Sequence, residues 1–162
     1  MKKISLFIAL LSVCAANAQI KEVQKEAVTI AVLVDPKVVL EDDSRNLAFE
    51  LEYISYNVYV RANIKSMPDF ETGYFDWGGT IGTNLTNGKE TVRYYGGLKI
   101  ATAIIGGKHY ALTGGEIGVD FYNCNKIFMG LRFSSDYLSH FTPVEESSRY
   151  INSASFRIGY KF

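Results

Sequence analysis

His109 and His140 are the residues of this 162-residue chain best suited to exchanging a proton near neutral pH. His140 follows Ser139, and Glu145 and Glu146 come soon after, so one short stretch holds a nucleophile, a base and two acids. Those residue types are the ones that cleave esters through a covalent intermediate. Their spacing argues against it. Adjacent residues at a strand end point to opposite sides, and both glutamates fall in a polar loop. A solvated loop histidine is the simpler reading, and the chain is not expected to be an enzyme. Cys124 has no second cysteine or histidine nearby, so it is not read as a metal ligand. Gly106-Gly107-Lys108 lacks the spacing of a phosphate loop, and Asn84-Leu85-Thr86 matches a glycosylation acceptor by chance. No cofactor is expected.

A second constellation is larger. Glu50, Glu52, Asp76, Glu116, Asp120 and Asp136 recur on the polar side of alternating segments, as do Arg61, Arg93, Lys99, Arg132, Arg157 and Lys161. Six acids meet six bases. Such a set could line an ion or ligand path, or could form a structural salt-bridge lattice. A narrow lumen filled by side chains favours the lattice, because enclosed charges must be paired.

The elements that hold these residues are strands. Apolar residues recur with period two, and no long segment keeps helical spacing. The first strand runs from Ala27 to Val34 and ends at Asp35-Pro36, before the polar loop Glu41–Asn46. Leu47, Phe49, Leu51 and Tyr53 alternate with Glu50 and Glu52. The pattern then slips, and Val58, Val60, Ala62 and Ile64 alternate with Tyr59, Arg61 and Asn63. A slip swaps faces, so the chain must bulge or turn near Ser55-Tyr56-Asn57. Met67-Pro68-Asp69 makes a loop before Phe75, Trp77, Gly79, Ile81 and Leu85, which oppose Tyr74, Asp76, Gly78 and Thr80. Asn87-Gly88 predicts a tight hairpin turn. Val92, Tyr94, Leu98 and Ile100 return opposite Arg93, Gly97 and Lys99, and Gly106-Gly107 turns the chain again. Two more strands, joined by Asn123-Cys124-Asn125, precede a loop from Ser139 to Arg149. In the last strand Tyr150, Ala154, Phe156, Ile158, Tyr160 and Phe162 oppose Ser153, Ser155, Arg157, Gly159 and Lys161. The count is eight with a hairpin at Ser55 and seven with a bulge. An even count returns both termini to one side and favours the hairpin.

The N-terminus reads as an export signal. Lys2 and Lys3 precede an apolar run from Ile4 to Val13, and Ala16-Asn17-Ala18 offers a cleavage site before Gln19. Residues 1–18 are therefore assigned to a signal peptide, 19–26 to a tail and 27–162 to one domain. A rival reading, lipidation at Cys14, meets a bulky Val13 and no polar linker. Removing the signal leaves fifteen basic against seventeen acidic residues, which gives no electrostatic case for nucleic acid. Cys124 then stands alone, so no internal disulfide braces the fold.

Alternation does not say which face is inward. A soluble barrel buries the apolar face, and a membrane barrel is everted. Balanced charge favours the second, as do Gly97, Gly118, Gly130 and Gly159 beside large residues on the charged face. Aromatics also sort toward strand ends: Phe75, Trp77, Tyr137 and Tyr150 at one, Tyr94, Phe121, Tyr160 and Phe162 at the other. Ile81, Ile100, Ile117, Leu131 and Ile158 fill the middle, as a lipid-facing wall requires.

With the signal peptide and the Phe156-Arg157-Ile158-Gly159-Tyr160-Lys161-Phe162 terminus, the chain resembles small outer-membrane β-barrel proteins of Gram-negative bacteria. Cleavage before a glutamine is similar to exported proteins of the Bacteroidota. The resemblance implies an all-β fold: a single antiparallel up-and-down transmembrane barrel of about eight strands, porin-like in architecture. It implies residence in the outer membrane as a monomer, with membrane lipids and the barrel-assembly machinery as partners. Phe156, Ile158, Tyr160 and Phe162 would form the assembly signal. The expected role is structural, adhesive or in envelope integrity. Two alternatives stay open: a lipid-interface enzyme such as a lipid A deacylase, and a soluble exported barrel that binds a small apolar ligand.

Overall fold

The structure, a computed structural model, describes residues 26–34, 47–67, 73–87, 90–123, 126–140 and 149–162. The expected signal peptide, its cleavage site, Cys14, Cys124, the 41–46 loop, Glu145 and Glu146 lie outside these residues. Eight strands follow in order: β1 (Ala27–Val34), β2 (Leu47–Ser55), β3 (Val58–Met67), β4 (Tyr74–Thr86), β5 (Val92–Ile105), β6 (Lys108–Asn123), β7 (Ile127–His140) and β8 (Arg149–Lys161). Each pairs antiparallel with its neighbour in sequence, and β1 pairs with β8 to close the ring.

The hairpin reading of the Ser55 region holds, which gives the even count. Ser55 pairs with Val58 around a two-residue turn, and Ile54 pairs with Tyr59. Paired residues share a face. A two-residue turn makes their separation odd, and this produces the slip in the alternation. Tyr56 adopts a positive φ of 56°, an uncommon conformation for a bulky residue. Strand β4 braces the turn, because the Asn84 amide donates to the Asn57 carbonyl at 2.8 Å.

Two expected turns differ. Asn87-Gly88 does not form a two-residue hairpin, since β4 ends at Thr86 and β5 begins at Val92. Asn87 instead caps a wider loop: its Oδ1 accepts from the Thr91 and Val92 amides at 2.8 and 3.0 Å. Glu90 adopts a positive φ of 54°. At the expected 139–149 loop the strands reach further in: Ser139 and His140 still pair with Ala111 and Tyr110, and Arg149 already pairs with Leu138. Gly106 and Gly107 turn the chain as expected, with φ of 57° and 77°, the backbone twist that suits a two-residue hairpin.

Register fixes the stagger. A line of paired residues leaves Lys161 and runs through Thr29, Glu52, Arg61, Thr80, Lys99, Gly114 and Asp136. It returns to β8 at Ile151, ten residues from its start. For eight strands that stagger tilts the strands by about 40°. An interior of that size is just wide enough for side chains to fill it.

The outer surface is apolar. On β8, Phe162, Tyr160, Ile158, Phe156 and Ala154 face outward before the first outward polar residue, Asn152. At this tilt the ten rises from Phe162 to Asn152 span about 25 Å, the height of a membrane barrel's apolar band. Tyr53, Tyr94, Phe121 and Tyr160 lie outward near the end where β1 begins and β8 ends, and Phe75, Trp77 and Tyr150 near the other. The aliphatic band between them is not purely aliphatic. Phe133 and Phe156 sit at mid-strand, opposite Ala154 and Leu131. Phenylalanine has no polar edge that would hold it at an interface, so it is at home in the middle of the band.

Candidate functional site: an ionic lumen

Because outward positions are apolar, every second residue turns its charge into the ring. The twelve charged residues singled out from sequence do not form one network; they fall into three groups at different heights. The central group holds Glu50 and Glu52 of β2, Arg61 of β3, Arg93 of β5, Glu116 and Asp120 of β6, Arg132 of β7 and Arg157 of β8. Its charges balance four to four.

The two β2 glutamates are the hub. Glu52 accepts from Arg61 Nε at 3.0 Å, from two Arg93 nitrogens at 2.7 and 3.2 Å, and from Thr29 Oγ1 at 3.1 Å. Glu50 accepts from Arg157 Nε at 2.9 Å and from Arg132, and lies 3.5 Å from Arg61 Nε. Arg157 also donates to Asp120 at 2.6 Å, and Arg61 donates to Glu116. Glu52, Arg61, Arg93 and Arg157 are at most 1% exposed. Taking such ions out of water costs several kcal/mol each, and dense pairing of this kind offsets it.

Four aromatic residues that sequence reasoning did not assign to the site complete it. Tyr59 and Tyr95 pack edge to face at 5.8 Å, and Arg61 stacks 4.8 Å from each ring. Arg93 lies 5.2 Å from Tyr59, and Arg157 lies 4.9 Å from Phe128. Tyr122 packs on Phe128. Stacking suits a guanidinium, whose flat faces make no hydrogen bonds. The signal was present: all four fall on the charged face by period two, Tyr59 beside Arg61 and Phe128 beside Gly130.

Inward glycines make room for these rings. A Cβ on Gly118 would collide with Tyr95, one on Gly159 with Phe128, and one on Gly97 with the Tyr59 hydroxyl. Gly79 faces outward and meets only the Arg61 carbonyl, at 3.5 Å. Gly118→Ala is therefore expected to destabilise the folded barrel by about 1–3 kcal/mol through overpacking. Gly79→Ala should change stability by under about 0.5 kcal/mol. Urea unfolding of detergent-folded protein measures both, and equal shifts would contradict this account of the lumen.

The second group lies toward the loop end. Lys99 Nζ is 3.1 Å from Asp136 and 3.8 Å from Asp76, while Asp76 accepts from Asn63 and from the Tyr74 hydroxyl. Above it Tyr74, Ala101, Ala103, Leu112 and Leu138 form an apolar cap. The third group is Lys161, half-buried at the opposite mouth, 4.0 Å from Glu90 and 5.5 Å from the Tyr122 ring. Glu90 was not among the residues expected to join a charge network.

The nucleophile set is not assembled among the described residues. Ser139 and His140 occupy successive ladder positions on β7, and His109 is exposed beside the Gly106-Gly107 turn.

This geometry defines a closed, eight-stranded, up-and-down β-barrel with an apolar exterior and a packed ionic interior, the fold of small outer-membrane barrels. Among solved structures, the N-terminal β-barrel domain of Pseudomonas aeruginosa OprF is similar, with a TM-score of 0.58 and 12% identity over 87% of this chain and all of that one. Neisserial surface protein A is similar with a TM-score of 0.52 and 10% identity, over 87% of this chain and 98% of that one. No family model matches the sequence, and no curated protein matches it.

Proposed function

We propose that the chain is an integral outer-membrane barrel with a structural, adhesive or envelope-integrity role, working as a wall-spanning body and not as a pore or an enzyme. One observation carries this: the polarity is everted. Large apolar side chains stand exposed on every strand, while Arg61, Arg93, Arg157 and the carboxylates of the centre are sealed inside. A water-soluble barrel would place them the other way round, and one that bound an apolar ligand would need an apolar lumen. The filled centre favours a barrel that does not conduct. Export by a signal peptide cleaved after Ala18, an origin among the Bacteroidota and a monomeric state belong to the same reading. The partners it entails are outer-membrane lipids and the barrel-assembly machinery. Strand β8 supports the last of these, because it closes the ring on β1 while displaying Phe156, Ile158, Tyr160 and Phe162 outward.

Detergent-folded protein should migrate differently on a gel before and after boiling; identical migration would overturn the closed barrel. His140→Ala in the expressing cell should leave lipid A acylation unchanged. A changed acylation pattern would favour the lipid-interface enzyme instead.

A further inference from the structure

The charges of the central group are divided unevenly along the chain. Strands β1–β3 contribute Glu50, Glu52 and Arg61, an excess of one negative charge. Strands β5–β8 contribute Arg93, Arg132 and Arg157 against Glu116 and Asp120, an excess of one positive charge. Strand β4 lies between them and turns only Gly78, Thr80, Gly82 and Asn84 inward near this height, so it relieves neither. The two portions also meet at the β1–β8 seam, the one strand pair that no chain connection joins directly.

We infer that Arg157 sets the register in which β8 closes on β1, by reaching across β1 to Glu50 and Glu52 on β2. A one-residue slip at the seam is already forbidden, because it would turn the apolar face of β8 inward. A two-residue slip is not, as the apolar pattern is blind to it. Val28, Ile30, Val32 and Val34 of β1 are near-equivalent aliphatics, and β8 offers Phe156, Ile158 and Tyr160 against them. The inward side chains of β1 (Ala27, Thr29, Ala31 and Leu33) carry no charge that could choose. The arginine does choose. Two residues along a strand is about 6.6 Å, which would carry Arg157 away from Glu50 at 2.9 Å and Glu52 at 3.4 Å, whereas Asp120 on β6 lies on its own side of the seam and stays with it. The buried charge therefore supplies closure specificity that the apolar pattern lacks, a role buried ionic groups are known to serve.

The inference goes beyond the membrane reading and needs only the closed ring. Its test uses cysteine pairs in a Cys124→Ser background, folded in detergent, with heat-modifiable migration reporting closure. Val32→Cys with Ile158→Cys reads the native register. Val32→Cys with Phe156→Cys, or with Tyr160→Cys, reads a two-residue slip. With Arg157 intact only the first pair should cross-link. Arg157→Gln should lose the native cross-link in a large part of the folded protein and gain a slipped one. Arg61→Gln takes a cation from the same two glutamates, but from β3, which the Tyr56-Asn57 turn tethers to β2; it should keep the native cross-link alone. If Arg157→Gln does not fold, the charge-balanced Glu50→Gln/Arg157→Gln variant replaces it with the same expectation. Native cross-linking alone in whichever Arg157 variant folds, or an equal slip in Arg61→Gln, would overturn the inference.

Discussion

Replacing Glu52 by glutamine should lower the stability of the folded barrel by about 3–5 kcal/mol, the usual result of stripping one partner from a buried ion group. Glu52 is fully buried and accepts hydrogen bonds from Thr29, Arg61, Arg93 and Arg157. The amide keeps the shape and removes the charge, so the four arginines of the centre would face only three acids. Adding Arg93→Gln restores the four-to-four balance to three-to-three and should recover part of the loss. A solvated lattice would behave otherwise, because exposed pairs contribute only about 0–1 kcal/mol. Urea unfolding in detergent distinguishes the two. A shift below 1 kcal/mol for Glu52→Gln would mean that water reaches the lumen.

The second large effect lies on the outside. Leu98 and Ile100 are the most protruding aliphatics of the wall, at 71% and 72% exposure, because they stand opposite glycine: Leu98 pairs with Gly115, Ile100 with Gly79. In water such a side chain is free, and Leu98→Arg would alter stability by no more than about 0.5 kcal/mol. In a bilayer an arginine on the lipid face near the midplane costs about 2–4 kcal/mol. Unfolding of vesicle-inserted protein should therefore show a loss of that size. Thr102→Arg, near the loop end of β5, should cost about 0–1 kcal/mol. If both variants unfold as the parent does, the outer surface does not face hydrocarbon.

Much of this architecture was legible because period two exposes faces directly. Glu50 and Glu52 among Phe49, Leu51 and Tyr53 declare which side of β2 is which, and the same holds for Arg61 on β3 and Arg157 on β8. The odd-residue slip at Tyr56-Asn57 pointed to a turn despite poor local turn chemistry, since the bracing comes from Asn84, 27 positions beyond Asn57. Asn87 misled for the opposite reason: its side chain serves as a cap, which an asparagine-glycine pair does not reveal. Face could be read, but partnership could not. Which arginine meets which glutamate depends on the ten-residue stagger of the closed ring, and Glu50 and Arg157 stand 107 positions apart in sequence. The aromatic floor was hidden because Tyr95 and Phe128 look like ordinary strand residues until the ring brings arginines onto their faces.

Trp77 is the chain's single tryptophan. It stands on the outer face of β4, toward the loop end, between Ile64 and Thr102. Its emission colour therefore reports on one known height of the wall, with no competing fluorophore of its kind. The molecule carries a built-in depth gauge at its far rim, opposite the end where β1 begins and β8 closes, where the arrival of that rim in a bilayer can be timed without a label.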